Sequence, residues 1–280
     1  MKYPHILAIK SAPREFAYDE QFTMLYALAL GAGASSDDLP FVYEKQLRAL
    51  PSMAVLMAAG AGDFISGGGI NYSMIVHGEQ RLTIHRPLPA AGRMTSTSRC
   101  LGVIDKGRDK GALLNVESSI CDAGSGVAHA TAIMTLYCRG DGGFGGPTSG
   151  ELPSIATPDR PHDVEVRLIT LPQQAALYRL LGDRNPLHID PAVATAVGFE
   201  RPILHGLCTY GIAGRAILQA CAGNDPALIE QLDARFSAPV YPGDAVVTRI
   251  WRDGRQLAFS CSVAERGVTV IRNGLCVLRG

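Results

Sequence analysis

The sequence has no surplus of charge: 26 basic side chains stand against 26 acidic ones, and no run of lysine or arginine gathers cations onto one surface. That excludes the electrostatic footprint by which proteins hold nucleic acid or anionic lipid. There is no Cys-x-x-Cys pair either. Seven cysteines (Cys100, Cys121, Cys138, Cys208, Cys221, Cys261 and Cys276) without paired spacing read as reduced, buried thiols of a cytoplasmic protein rather than as a disulfide framework. The stretch MKYPHILAIKSAPREF lacks the apolar core of a signal peptide, and the longest apolar run, around MAVLMAAGAG, is too short and glycine-rich to cross a bilayer. The ending VLRG is not a peroxisomal address. The expectation is a soluble protein with neither nucleic acid nor membrane as partner. A Gly-x-Ser-x-Gly nucleophile elbow is missing as well. GDGGFG (140–145) has the spacing of a dinucleotide loop but runs into Pro147 rather than a helix, which argues against a phosphate cradle.

What is present is an internal repeat. A chain of 280 residues has room for two cores. The Gly-, Pro- and Ser-rich segment 140–163 carries no apolar period and reads as a linker between an N-terminal half, 1–139, and a C-terminal half, 164–280. Before it, GRMTSTSRCLGVID, GALLNVESSICDA and GVAHATAIMTLYCR read as strands; after it, GDAVVTRIWRDG, QLAFSCSVAERG and VTVIRNGLCVLR do the same. Each half should end in an antiparallel meander. LYALALG (25–31) answers LYRLLG (177–182), VHGEQ (76–80) answers LHGLC (204–208), and RPLPAAG (86–92) answers APVYPGD (238–244). On these matches the second half holds an insert after Gly206 that reads as a largely buried helix, with Arg215 and Gln219 as its polar residues. The first half would lack that helix, leaving an open apolar face on which a long hydrophobic ligand could lie.

The chemistry concentrates between Tyr178 and Leu207. TLPQQAALYRLLGD predicts a helix stopped by Gly182, and HIDPAVATAVG a second one with Asp190 as N-cap, Pro191 at its first position and Gly198 as terminator. Asp183 to Ile189 must then form a tight overhang, since Pro186 cannot donate a backbone hydrogen bond and biases Asn185 away from helix. Such a turn can bring Asp183 and His188 to one point, where a carboxylate and an imidazole can position and deprotonate a single water, with Asn185 orienting either. The competing reading is a plain turn in which Asp183 and Asn185 only cap the backbone. His205-Gly206 precedes the proposed buried helix, so the Gly206 N–H would point from a helix N-terminus toward developing negative charge; His205 alone could equally be a satisfied core histidine. A metal held by Asp183, His188, Asp190 and His205 is disfavoured because Asp190 has its capping duty.

YRLLGDRNPLHID followed by GFERPILHGLCTYG resembles the hydratase 2 motif of (R)-specific enoyl-CoA hydratases, in the MaoC-like hot-dog superfamily. VHGEQRLTIHRPLPAAG, VIDKG, GGFGG and ARFSAPVYPGD extend the resemblance to both halves of the double hot-dog hydratase domain of the peroxisomal multifunctional enzyme type 2. The resemblance implies an α+β fold of two tandem hot-dogs, antiparallel sheets wrapped around helices, and a hydro-lyase that reversibly adds water to a trans-2-enoyl-CoA to give a (3R)-3-hydroxyacyl-CoA. It implies Asp183 and His188 as the acid/base pair, Asn185 as their polar support and Gly206 as donor to the thioester oxygen. It also implies substrate contacts at His77, Gly78, Lys106, Arg184, Pro186, Leu187 and Phe236, with Lys106 suited to a CoA phosphate and Phe236 to the pantetheine or acyl chain. Neither cofactor nor metal is implied, and the assembly expected is a homodimer. The N-terminal half, with Ala32 after Gly31 where Asp183 follows Gly182, would hold substrate rather than react with it. Two rival functions share this reading: a hot-dog acyl-CoA thioesterase and a non-catalytic acyl-CoA-binding module.

Overall fold

The computed structural model describes residues 1–280. Ten strands form one antiparallel sheet: β1 (Arg14–Tyr18), β2 (Ile75–Ile84), β3 (Gly92–Asp105), β4 (Ala112–Asp122), β5 (Ala128–Cys138), β6 (Val164–Ile169), β7 (Ile229–Phe236), β8 (Ala245–Asp253), β9 (Gln256–Val263) and β10 (Val268–Leu278). Their order, β1-β3-β4-β5-β2-β7-β10-β9-β8-β6, is the same five-strand pattern run twice about the central β2–β7 pair, where Arg81 faces Asp233 and Leu82 faces Leu232. The six predicted meander strands are all present, two hairpin-linked runs of three. This is the tandem hot-dog that the resemblance implied.

Six helices accompany the sheet: α1 (Glu20–Ala29), α2 (Leu39–Val42), α3 (Gly62–Gly67), α4 (Gln174–Tyr178), α5 (Pro191–Ala196) and α6 (Gly206–Cys221). None is long and apolar enough to cross a membrane. The longest, α6, is buried from Cys208 to Leu218 and is the predicted helix of the second half. It can lie close to its neighbours because it is built on glycine where they press: a Cβ on Gly211 would stand 2.7 Å from the Leu30 side chain, and one on Gly214 would stand 3.0 Å from Leu232 of β7. Its one buried charge, Arg215, reaches Asp38 with both carboxylate oxygens at 2.9 Å from Nη2. Apolar residues of both halves merge in one core of 44 buried side chains, so the two hot-dogs stand or fall together.

The repeat is real, but its register differs from the reading above in one place. Leu25 against Leu177 and Arg86 against Ala238 are each offset by 152 residues, whereas Val76 against Leu204 is offset by 128. The structure follows 152 at this place: His77 and Gly78 lie in β2, whose counterpart is β7, not at the foot of a helix. The counterpart of α6 is therefore the 3-10 helix Pro51–Met57 followed by α3. Pro51–Val55 and Met57 are buried there, and Phe64 of α3 is fully buried beneath the N-terminal segment. The expected open apolar face is thus covered. A run without helical period escaped notice because a segment buried all round shows no amphipathic signal.

Residues 139–163 carry neither helix nor strand. The glycine loop within them binds no foreign phosphate: Gly143 and Gly145 donate their backbone N–H groups to the Asp105 carboxylate at 2.7 and 2.8 Å. The loop is an anion nest filled by the protein's own side chain.

Candidate active site

Gly182 ends the short helical run after α4 with φ of 125°, a conformation that costs glycine little, and the chain turns sharply. The Asp183 Oδ1 accepts the Asn185 N–H at 3.1 Å, and the Asn185 Oδ1 accepts the Leu187 N–H at 3.0 Å, starting the 3-10 turn Pro186–His188. Both capping duties of the plain-turn reading are therefore real, and neither uses up its side chain. Asp183 keeps one free carboxylate oxygen, and Asn185 a free amide nitrogen. Asp190 then caps α5 through Ala192, as predicted.

That turn places an oxygen of Asp183 and one ring nitrogen each of His188 and His205 within 4.8 Å of one another. Two hydrogen bonds of about 2.8 Å meeting near the tetrahedral angle span roughly 4.6 Å, so one water fits between carboxylate and imidazole. His188 is 8 % exposed, and its Nδ1 donates to the Ile203 carbonyl at 2.9 Å, which leaves Nε2 as the basic nitrogen. Burial holds its pKa below the usual histidine value, against the opposing pull of Asp183, so it is a neutral base at neutral pH. Asp183 itself is solvent-exposed.

Gly206 opens α6, and its N–H and that of Leu207 have no protein acceptor. A 16-residue helix thus aims unpaired donors and the positive end of its dipole beside the Asp183–His188 pair. A Cβ on Gly206 would lie 3.6 Å from the Phe236 ring, so Phe236 walls this side of the site. Edge-on to Phe236, with ring centroids 5.1 Å apart, stands His77 from the other half of the chain. A bulge in β2 between His77 and Glu79 delivers it there, Gly78 being the extra residue. Burial lowers the His77 pKa to about 4, and the Asp183 charge is near enough to act against that shift. Pro186 and Leu187 form the turn itself and Arg184 is exposed on it. Lys106 is not brought to this cluster. It follows β3, three strands from β2, and is paired with Glu151 of the linker. The polar groove of about 320 Å³ lined by Glu79, Arg81, Asp233 and Arg235 carries none of the acid/base residues.

His205 is 1 % exposed and stacks on His188 with ring centroids 3.7 Å apart and planes 28° from parallel. Two histidines and a carboxylate have the composition of a metal site, but imidazole ligates in its ring plane, and an ion shared by stacked rings would lie well out of both. The arrangement suits proton transfer instead. Sequence reasoning named His205 yet missed what it touches, together with the Ile203 carbonyl that fixes the His188 tautomer. A main-chain acceptor leaves no signal in residue types.

Residues 154–274 match the MaoC like domain family and residues 16–140 match the MFE-2 hydratase 2 N-terminal domain family. The chain is 41 % identical over 255 residues to 3-hydroxyacyl-thioester dehydratase Y of Mycobacterium tuberculosis, covering 89 % of this chain and 87 % of that protein. It is 35 % identical to the peroxisomal enoyl-CoA hydratase 2 of Arabidopsis thaliana over 98 % of this chain and 94 % of the other. The crystal structure of a MaoC-like dehydratase from Phytophthora capsici superposes with a TM-score of 0.89 at 33 % identity, covering 100 % of this chain and 99 % of that one.

Proposed function

Because the chain belongs to the MaoC-like, hydratase 2 family, we propose that it is an (R)-specific enoyl-CoA hydratase, a hydro-lyase whose reverse reaction dehydrates (3R)-3-hydroxyacyl-CoA. One observation carries the reading: a carboxylate and a neutral imidazole close enough to share a water, beside a helix N-terminus with unpaired N–H groups. Water held between Asp183 and the His188 Nε2 attacks the β-carbon, its proton passes to this pair, and a proton is delivered to the α-carbon on the same face. Charge collecting on the thioester oxygen is held by the Gly206 N–H. Positioned acid/base groups contribute on the order of 10²–10⁴ each, and an oxyanion donor roughly 10²–10³. The reaction class needs nothing beyond these side chains and water.

Phe236 and His77 flank the pantetheine or acyl chain, so the N-terminal half, 1–139, serves as the substrate-holding half and 164–280 as the catalytic one. Lys106 receives a CoA phosphate once Glu151 yields it. Seven free thiols support a reducing, cytoplasmic setting, the balanced charge supports an acyl-CoA thioester rather than nucleic acid as partner, and the assembly we propose is a homodimer.

The test is Asp183→Asn, which keeps an oxygen for the Asn185 N–H and removes the charge. Hydration of crotonyl-CoA and decenoyl-CoA, followed by loss of the enoyl-thioester absorbance, should fall at least 100-fold while circular dichroism is unchanged. A folded variant within threefold of wild type refutes the assignment. Free thiol release from acyl-CoA would instead favour a thioesterase, and tight acyl-CoA binding without turnover a carrier module; chiral analysis of the product fixes the hand.

A further inference from the structure

We propose that His205 is a positioning residue, a neutral Nε2–H tautomer that holds the general base, the turn bearing the catalytic carboxylate and the oxyanion helix in one register. This rests on the hydratase reading and adds to it a residue that touches no substrate.

Three contacts carry it. The His205 ring lies flat against His188, 3.7 Å centre to centre, covering one face of the base. Its Nε2 stands 3.2 Å from the backbone carbonyl of Asp183, and a carbonyl can only accept, so Nε2 bears the proton. Its own carbonyl accepts the N–H groups of Cys208 and Thr209 at 3.0 and 3.1 Å, which anchors the first turn of α6 just behind Gly206. Acid, base and oxyanion donor come from segments up to 23 residues apart in sequence, and one side chain with its peptide touches all three.

The remaining nitrogen, Nδ1, is buried without a partner beside the Tyr178 ring, whose hydroxyl is also buried and unpartnered. A second proton on Nδ1 would put a cation where no acceptor lies within hydrogen-bond reach and against the face of His188. Burial first, then His188 and Arg179, hold the His205 pKa down at about 4 against the opposing pull of the Asp183 charge and carbonyl. The residue stays a fixed donor over the range in which His188 works as a base. Displacement of a reacting group by about 1 Å can cost on the order of 10²-fold, so a loosened bracket shows in turnover before it shows in binding.

The substitutions that test this differ in where they place an amide. Glutamine puts its –NH₂ near the position of Nε2 and can still reach the Asp183 carbonyl; asparagine is too short and sits near Nδ1. In His205→Gln, kcat should stay within about tenfold of wild type, while His205→Asn and His205→Ala should lose about 100-fold or more in kcat, with KM within threefold and unfolding midpoints similar across the three. The acid limb of the kcat profile should move upward in the alanine variant, because His188 regains water on one face. Equal losses in Gln, Asn and Ala, or none in any, would overturn the proposal. A readout independent of turnover separates its failure from that of the hydratase assignment: nitrogen-15 NMR of labelled wild-type protein should find His205 protonated on Nε2 and bare on Nδ1 from pH 8 to pH 5. A doubly protonated His205 at pH 6 would refute the neutral bracket whatever the enzyme's substrate.

Discussion

Replacing Asp38 with asparagine should destabilise the protein by about 3–5 kcal/mol, although Asp38 lies outside the site. The Arg215 guanidinium sits midway along α6 with its side chain 7 % exposed, Asp38 is 2 % exposed, and Nη2 reaches both carboxylate oxygens at 2.9 Å. Beyond that it has only the Leu30 carbonyl at 3.5 Å, and its Nε has no partner at all. Asp38→Asn therefore leaves a buried cation with one amide oxygen. Arg215→Leu is the milder change, because the Asp38 Oδ2 still accepts the N–H groups of Gly33 at 2.9 Å and Ser35 at 3.3 Å. Its cost should be about 2–3 kcal/mol. Combining the two removes both charges and keeps the amide acceptor for Gly33, so the double variant should be more stable than the sum of the singles predicts by about 2 kcal/mol or more. With a urea slope near 3 kcal/mol/M, Asp38→Asn moves the midpoint by about 1 M. Arg215 is nine residues, roughly 13 Å, along the helix from Gly206, so kcat of folded protein should change less than threefold. A loss below 1 kcal/mol for Asp38→Asn, or strict additivity in the double variant, would refute the claim that this pair is a desolvated clamp.

Stability should fall on acidification well before the carboxylates titrate. His77, His188 and His205 all have folded pKa values below the ordinary 6.5, two of them near 4, so unfolding takes up protons; the contribution is full above 6.5 and is lost as pH drops toward 4. Unfolding free energies from urea titrations at pH 7.5 and 5 should differ by a few kcal/mol in wild type and by less in His205→Gln. Buried Asp233, whose pKa is raised, acts in the opposite sense and trims the effect. Phe236→Ala removes the wall between His77 and Gly206 and should raise KM for enoyl-CoA about tenfold or more with kcat changed less, in steady-state hydration assays. Lys106→Ala should raise KM severalfold for enoyl-CoA but not for the matching enoyl-pantetheine; an equal effect on both would remove Lys106 from the CoA site.

Local rules carried the sequence reading where the determinants were local. GRMTSTSRCLGVID coincides with β3, Gly92–Asp105, because residues on one face of a strand alternate with those on the other. Asp190, Pro191 and Gly198 mark α5 through capping chemistry that residue type alone dictates. The Asp183–His188 approach was legible because Pro186 forbids the helix that would have parted them. What stayed hidden depends on partners far off in sequence. Arg215 passed for a polar face because nothing within α6 announces Asp38, 177 positions earlier. His205 could be named but not placed, since its partners are a main-chain oxygen and another ring. The VHGEQ and LHGLC match misled because four or five residues agree by chance more readily than two longer blocks agree on one offset.

The common offset of 152 also explains why a duplicated fold carries one acid/base site. It sets Met53 and Ala54 where the second half has His205 and Gly206, and both are fully buried. One position off that register, because LYALALG is a residue longer than LYRLLG, Gly31 is followed by Ala32, 7 % exposed, where Gly182 is followed by exposed Asp183. The equivalent place in the first half is thus not an empty cleft. Apolar side chains fill it, Met53 contributing about 1.5–3 kcal/mol to the shared core and each alanine methyl about 0.8. The first half meanwhile sends His77 across through a bulge in the central strand. Restoring single residues would therefore fail: Ala32→Asp would bury an unpaired carboxylate, because the 3-10 helix Pro51–Met57 offers no open helix end and no stacked imidazoles to receive it. Such a variant should lose stability, by about 3 kcal/mol or more in urea unfolding, and gain no turnover in an Asp183→Asn background.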